Sequence, residues 1–377
     1  MNSPIFPNGV GPVQGCTGQG RLANIDGLRG LAALLVLLQH LCERYSQHAP
    51  LSDSASKSLA TVLLTYCDLG KVGVVTFFAI SGFVVPFSFH EPTPRIGFIA
   101  SRVFRLYPAY WISLLAAFLI LPVIHQERFS YGQLFANATL LQTAIHQKDV
   151  LSVYWTLFIE VIFYACCFML FQLGVLLSSN ALFVSFSGCL AWAIGAGVLR
   201  ARGHSGPPTA LPLYLAVMWF GTSVRLATRE NDQRAAGYCR AMLAMLVIAV
   251  PLVWSIAYDR GSHKESVVSD IAGFYVALAM FLLAAIRGVF ATRLLAWAGA
   301  ISYGLYLFHP IALDVGDFAS STLSWPFRGA VLIVVSLMLS FATAGLVYAR
   351  VERPMIRIGR VAIAWLARPI VLRDRAA

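Results

Sequence analysis

The sequence feature that most constrains this chain is a series of apolar stretches, each long enough to cross a lipid bilayer as a helix. A membrane-spanning helix needs about 20 apolar residues. Of the 377 residues, 58% are hydrophobic and 12% are charged, whereas a soluble domain carries about 25% charged residues. The sequence therefore predicts an all-α, polytopic membrane protein with about ten transmembrane helices. The predicted spans are about 25–42, 70–89, 108–124, 151–171, 182–199, 211–227, 239–257, 268–286, 294–313 and 328–349.

The chain is predicted to have three regions of different composition. Residues 1–24 are rich in Gly and Pro and are predicted to form a disordered lead-in. Residues 25–351 contain the apolar stretches and form the predicted transmembrane domain. In residues 352–377, basic residues alternate with apolar ones, a pattern typical of an amphipathic segment on the cytoplasmic membrane surface.

The distribution of Lys and Arg predicts that both termini lie in the cytoplasm. With the N-terminus inside, 18 of the 28 basic residues fall on the cytoplasmic side and 10 on the other. The net charge of +11 does not indicate a nucleic-acid partner, because the basic residues are spread between apolar runs. The seven cysteines lack metal-type spacing, so no metal site is expected.

The first predicted span carries two residues that lipid disfavours, Arg29 and His40. Eleven residues separate them, so they share a helix face about 16 to 17 Å apart along the axis. Arg29 alone is explained by snorkelling to the headgroups, and His40 by a hydrogen bond to another helix. The pair on one face favours a functional interpretation.

Two further sets of residues lie at the second and third predicted spans. Ser81 stands in the run Phe77–Phe83, where Ser and Gly indicate close helix packing more strongly than catalysis. Arg102 and Arg105 precede the third predicted span and share a face. They form either a positive-inside anchor or a clamp for phosphate, which paired guanidiniums fit.

Polar residues also occur within the fourth and ninth predicted spans. Glu160 lies near the middle of its span and needs a partner or a proton, and Tyr164 is on the same face. Ser302, Tyr306 and His309 form one stripe. The stripe indicates either a wet cavity or a hydrogen-bonded seam between helices.

Taken in order, these motifs resemble those of the acyltransferase-3 family of bacterial integral-membrane acyltransferases, over nearly the whole chain. The resemblance depends on six features in the same order. They are Asp26-Gly27-Leu28-Arg29-Gly30 with His40, the run Phe77–Phe83, Arg102 with Arg105, Trp155 with Glu160, Ser302-Tyr303 with His309, and Glu352-Arg353-Pro354.

The resemblance implies transfer of an acyl group from cytoplasmic acyl-CoA, typically acetyl-CoA, to a hydroxyl of an extracytoplasmic or lipid-linked glycan. It implies a multi-pass protein of the bacterial cytoplasmic (inner) membrane, in contact with lipids and with a glycan or glycolipid acceptor. Some relatives carry a fused extracytoplasmic domain. None is seen here, so transfer ends in the membrane or a separate extracytoplasmic transferase completes it.

On this basis we expect His40 to be the catalytic base or acyl carrier. Arg29 is expected to line the path to it, and Glu160 to orient His40 or steer the acceptor. Arg102 and Arg105 are expected to bind the donor phosphates. Ser81, Tyr306 and His309 are expected to line the substrate path. The alternative is a transporter or flippase for a glycan or lipid-linked substrate, which would also place charges along a central path but transfer no acyl group.

Overall fold

The computed structural model describes residues 18–48, 58, 66–90, 92–126, 128–203, 209–258 and 267–374. Within these residues the protein is helical and contains no strand. The helices are α1 (Gly18–His48), α2 (Leu69–Val84), α3 (Pro94–His125), α4 (Tyr131–Ala138), α5 (Tyr154–Gln172), α6 (Ser179–Ala201), α7 (Ala210–Arg229), α8 (Gln233–Tyr258), α9 (Val267–Arg287), α10 (Arg293–Ser320), α11 (Phe327–Val347) and α12 (Arg353–Asp374). A 3₁₀ turn, Val85–Ser88, extends α2, and a π-helical turn, Tyr348–Glu352, joins α11 to α12.

The prediction of an all-α protein with about ten spans is confirmed. In the described part of the chain, 10 helical segments are long and apolar enough to cross a membrane. Each corresponds to one of the predicted spans. The short helix α4 is not among them.

Two helices that carry predicted site residues, α1 and α3, begin earlier than the sequence predicts. α1 begins at Gly18, so residues 18–24 of the predicted disordered lead-in are helical, and residues 1–17 lie outside the described residues. Arg, Leu and Ala are good helix formers and extend the helix toward the N-terminus. α3 begins at Pro94, so Arg102 and Arg105 lie inside the helix rather than before it. Proline fits the first turn of a helix, because the backbone N–H groups of that turn have no hydrogen-bond partner within the helix.

Small residues allow the central helices to approach closely. α1 packs against α2 and α10, and α2 packs against α7. A Cβ added at Gly30 would overlap the backbone of α10, and one added at Gly82 would overlap the carbonyl of Met218 in α7. Thr222 of α7 donates a hydrogen bond of 2.9 Å to the Gly82 carbonyl oxygen. Such contacts are the usual means of helix association in lipid, where burial of apolar surface provides no driving force.

The segment between α3 and α5 folds back along α3. Tyr110 donates a hydrogen bond of 2.7 Å to the carbonyl oxygen of Asn137, and Trp111 donates one of 2.9 Å to that of Ala138. α5 then begins beside the middle of α3, because the hydroxyls of Tyr154 and Ser113 are 3.0 Å apart. α3 continues to His125, about 18 Å beyond Ser113. α3 therefore extends well beyond the beginning of α5, and the segment before α5 packs on this part of α3.

The predicted amphipathic tail is helical as far as the structure describes it. α12 packs against α3, and Gly359 faces the side chain of Phe104. Ile358, Val361 and Trp365 are exposed on α12, as expected for a helix that lies against lipid. Its position on the cytoplasmic membrane surface stays a prediction.

Candidate active site

A cavity of about 90 Å³ lies between α1, α2, α3, α5 and α10. This volume has room for several water molecules. Five of the predicted site residues line it: Arg29, Ser81, Arg105, Glu160 and Tyr306. The other lining residues are Val74, Phe77, Phe78, Leu106, Thr156, Leu157, Tyr164, Ser302 and Tyr303. The structure thus brings together polar residues from five of the six motifs in the sequence.

Glu160 has two hydroxyl partners. Tyr164, four residues later on α5, donates a hydrogen bond of 2.5 Å to its Oε1. Ser81 of α2 donates one of 3.3 Å to the same oxygen. The Glu160 carboxylate thus accepts hydrogen bonds from two hydroxyls, in a cavity that Arg29 and Arg105 also line. Ser81 therefore has a polar role in the cavity besides allowing close helix packing.

Arg102 and Arg105 have different environments. Arg105 lines the cavity together with Arg29. The guanidinium of Arg102 lies over the rings of Tyr164, at 5.7 Å, and Phe98, at 5.9 Å. These are cation–π distances. Tyr164 therefore stands between Glu160 and Arg102 and connects the cavity to the arginine pair.

His40 lies outside the cavity wall, next to another predicted site residue. Its ring centroid is 5.1 Å from that of His309. His309 is in turn 5.9 Å from the ring of Tyr306, and Tyr306 is 5.7 Å from Phe77. Because Tyr306 and Phe77 both line the cavity, they connect it to the two histidines. The axial distance between Arg29 and His40 explains why one residue reaches the cavity and the other does not.

The backbone orients both histidines in the same way. His40 Nδ1 lies 2.9 Å from the Val36 carbonyl oxygen, and His309 Nδ1 lies 3.1 Å from that of Leu305. A carbonyl oxygen only accepts, so in each neutral ring Nδ1 carries the proton and Nε2 carries the lone pair. The Glu160 carboxylate is held by Tyr164 and Ser81, and the helix backbone holds His40 Nδ1. The expectation that Glu160 orients His40 or steers the acceptor stays a prediction.

Hydrogen bonds hold the other aromatic residues of the cavity. Tyr306 and Thr156 have their hydroxyls 2.8 Å apart. Tyr303 donates a hydrogen bond of 2.7 Å to the Leu106 carbonyl oxygen. Ser302 donates one of 2.8 Å to the Gly299 carbonyl oxygen within its own helix. The stripe on α10 is therefore partly a seam between helices and partly a cavity wall.

Glu352, which the sequence places in a motif but not in the site, is buried by the π-helical turn to 7% exposure. A Cβ at Gly304 would lie 3.2 Å from its Oε1, so the missing side chain at Gly304 makes room for this carboxyl group. α12 follows this turn directly, and π-helical turns are frequent at functional sites.

An ionic cluster at the far ends of α1, α3 and α10 was also missed. Arg44 lies 2.7 Å from Asp314 and 3.2 Å from Asp317. His125 lies 3.3 Å from Asp314, and the remaining members, His48 and Arg328, lie 2.9 Å and 3.2 Å from Asp317. The signal in the sequence was the pair Asp314 and Asp317, two carboxylates three residues apart at the end of the predicted span 294–313.

The segment before α5 holds a further acidic residue, Asp149, which is half-buried. Gln142 donates a hydrogen bond of 2.6 Å to Asp149. Burial raises the pKa of Asp149 above its ordinary value, although this hydrogen bond opposes the shift. In the described part of the chain, no group of three His, Cys, Asp or Glu side chains is arranged to hold a metal ion.

Comparisons with known proteins agree with the motifs and the fold. The family model of an acyltransferase domain, Acyl_transf_3, matches residues 22–347. The chain is 22% identical to acyltransferase MdmB of Streptomyces mycarofaciens over 366 residues, which cover 90% of this chain and 92% of MdmB. It is 25% identical to BcsY of Komagataeibacter xylinus, named as a membrane-bound transacylase, over 88% of this chain and 82% of BcsY. No solved structure gives a significant match. The chain belongs to the acyltransferase-3 family and is a multi-pass membrane acyltransferase.

Proposed function

We propose that this acyltransferase moves an acyl group, in the first instance acetyl, from cytoplasmic acyl-CoA to a hydroxyl of an extracytoplasmic or lipid-linked glycan. The observation that carries the proposal is the continuous connection from the arginine-lined cavity, through Tyr306, to His40 and His309. One end of this connection suits an anionic donor, and the other presents a histidine that can accept a proton.

The donor is proposed to bind on the side of Arg102 and Arg105. Guanidiniums match the geometry of phosphates, and coenzyme A combines bulky anionic phosphates with a thin pantetheine arm. Arg105 reaches the cavity, and Arg102 is held beside it over Tyr164. The phosphates would stay at the arginines, and the arm would enter the cavity past Arg29 toward His40.

The chemical step needs one proton acceptor. Nε2 of His40 takes the proton from the acceptor hydroxyl as its oxygen attacks the thioester carbonyl carbon. The C–O bond forms and the C–S bond breaks. The leaving thiolate then receives the proton, so the sum is one ester and free CoA. If His40 instead carries the acyl group, its Nε2 makes the first attack and the acceptor hydroxyl makes the second.

The acceptor is proposed to arrive from the opposite side, above the beginning of α5. α1, α3 and α10 extend beyond this point and carry the ionic cluster of Arg44, Asp314 and Asp317. We assign the protein to the bacterial cytoplasmic membrane. A separate extracytoplasmic transferase is required only if the acyl group leaves the protein on an intermediate carrier.

Purified protein in lipid nanodiscs tests this proposal. Wild-type protein should release the free CoA thiol from acetyl-CoA, and His40→Ala should not. The control is His90→Ala, because His90 is an exposed histidine away from the cavity. A transporter or flippase would move a glycan without consuming acetyl-CoA. Absence of thiol release by wild-type protein, with and without added glycans, would reject the acyl-CoA proposal.

A further inference from the structure

His309 is buried more completely than any role in lining a substrate path requires. It is 1% exposed. Its Nε2 is buried and has no hydrogen-bond partner among the described residues. A buried polar atom without a partner is unfavourable, so its presence calls for an explanation.

The neighbour of this nitrogen is the proposed catalytic histidine. The two ring centroids are 5.1 Å apart and the ring planes are tilted by 44°. His309 Nε2 makes no direct hydrogen bond to His40, but at this ring separation one water molecule can carry a proton between the two rings. Each Nδ1 is engaged by the backbone of its own helix, which leaves the two Nε2 atoms as the proton-accepting sites of the pair.

Other nearby groups are less suited to take up a proton. The Tyr306 hydroxyl is held by Thr156 at 2.8 Å and by the Val153 carbonyl oxygen at 3.4 Å. Glu160 is held by Tyr164 and Ser81. Two charged imidazoliums in contact would repel each other in an environment of low polarity. The pair is therefore suited to hold one proton.

We propose that His309 is a positioning residue that shares the catalytic proton with His40. The inference rests on the proposed function. His40 takes the proton from the acceptor hydroxyl, and the resulting Nε2–H is shared with Nε2 of His309 until the leaving thiolate removes it. No proton is gained or lost over the cycle. His309 acts through His40 because its burial keeps it from touching the substrate.

The test compares His309→Gln and His309→Ala with wild-type protein in nanodiscs. The donor is radiolabelled acetyl-CoA, the acceptor probe is hexyl β-D-glucoside, and thiol release reports transfer to the glucoside or to water. We expect His309→Gln to lower kcat at least about tenfold, as part of the about 10²–10⁴-fold that general acid–base help provides. The KM for acetyl-CoA should stay within twofold. Glutamine keeps a hydrogen-bonding group but cannot take the proton.

Chemical rescue separates proton sharing from a structural role. Added imidazole should restore part of the activity of His309→Ala, and more basic substituted imidazoles should restore more. The control His90→Gln should match wild type and should not respond to imidazole. A His309→Gln variant within threefold of wild type would overturn the inference. So would a His309→Ala variant that imidazoles do not rescue in proportion to their basicity.

The outcomes also separate this inference from the proposed function. If wild-type protein turns over acetyl-CoA, His40→Gln does not, and His309→Gln does so normally, only the role of His309 is rejected. If wild-type protein releases no thiol, the acyl-CoA proposal itself is rejected and this inference is rejected with it.

Discussion

The predicted site residues lie in two layers along α1, one at Arg29 and one at His40. Arg29 shares its layer with Arg105, Glu160 and Ser81 around the cavity. His40 shares its layer with His309. A donor that spans both layers would present its phosphates to one and its thioester to the other.

Replacing Arg102 or Arg105 with Ala tests the layer that is proposed to bind the donor. We expect the KM for acetyl-CoA to rise about tenfold or more, with a smaller change in kcat, because each guanidinium contributes a charge-assisted hydrogen bond to phosphate. Lys should rescue only in part, since it lacks the bidentate fork. Steady-state kinetics on purified variants measures both constants.

The matched control is Arg240→Ala, because Arg240 is exposed on α8, a helix that does not line the cavity. It should leave both constants unchanged. If Arg102→Ala and Arg105→Ala bind the donor normally but insert poorly into the membrane, the pair is a topology anchor only.

Single residues were the hardest part to place from the sequence. Helix periodicity correctly put Tyr164 on the face of Glu160, and their hydroxyl–carboxylate contact follows from it. It could not reveal that His40 meets His309, because that contact depends on how α1 crosses α10. Glu352 was missed for a related reason, since no local pattern in the sequence predicts a π-helical turn.

At the scale of helices, the apolar pattern of the sequence was sufficient to predict the membrane spans. It located all ten spans because each is an independent run with its own length and composition. The pattern predicted the helix ends less accurately, because α1 begins at Gly18 and α3 at Pro94, before the apolar stretches begin. The fold-back of α4 along α3 was not predicted, because it depends on hydrogen bonds from Tyr110 and Trp111 to distant backbone atoms.

Gly82→Ala tests the close contact between α2 and α7. The added methyl group would overlap the Met218 backbone. Since overpacking costs about 1–3 kcal/mol, the variant should aggregate at a lower temperature than wild type in a thermal ramp in detergent. Gly188→Ala in α6 is the control, since nothing lies within 4 Å of its added Cβ. Equal aggregation temperatures for the two variants would contradict the packing.

For the whole molecule, the central question is which side of the membrane each layer faces. The cavity with its arginines must face the cytoplasm if acyl-CoA is the donor. The excess of basic residues, 18 against 10, predicts this orientation. Arg44 and Arg328, in the ionic cluster, are among the minority on the other side.

Reporter fusions at two positions test the topology. A fusion after Ala377 should give cytoplasmic reporter activity, because both termini are predicted inside. A fusion after Ser321, between α10 and α11, should report the extracytoplasmic side and serves as the control. The reverse pattern would place the arginine-lined cavity on the wrong side for a cytoplasmic donor.

The most direct test of the account is the turnover of acetyl-CoA by His40→Gln in nanodiscs, with donor binding measured on the same sample. Glutamine can keep a hydrogen bond but cannot accept a proton at neutral pH. Because general-base help is worth about 10²–10⁴-fold, we predict at least about a 100-fold loss of turnover with unchanged donor affinity. Near-normal turnover by His40→Gln would contradict the central role of His40.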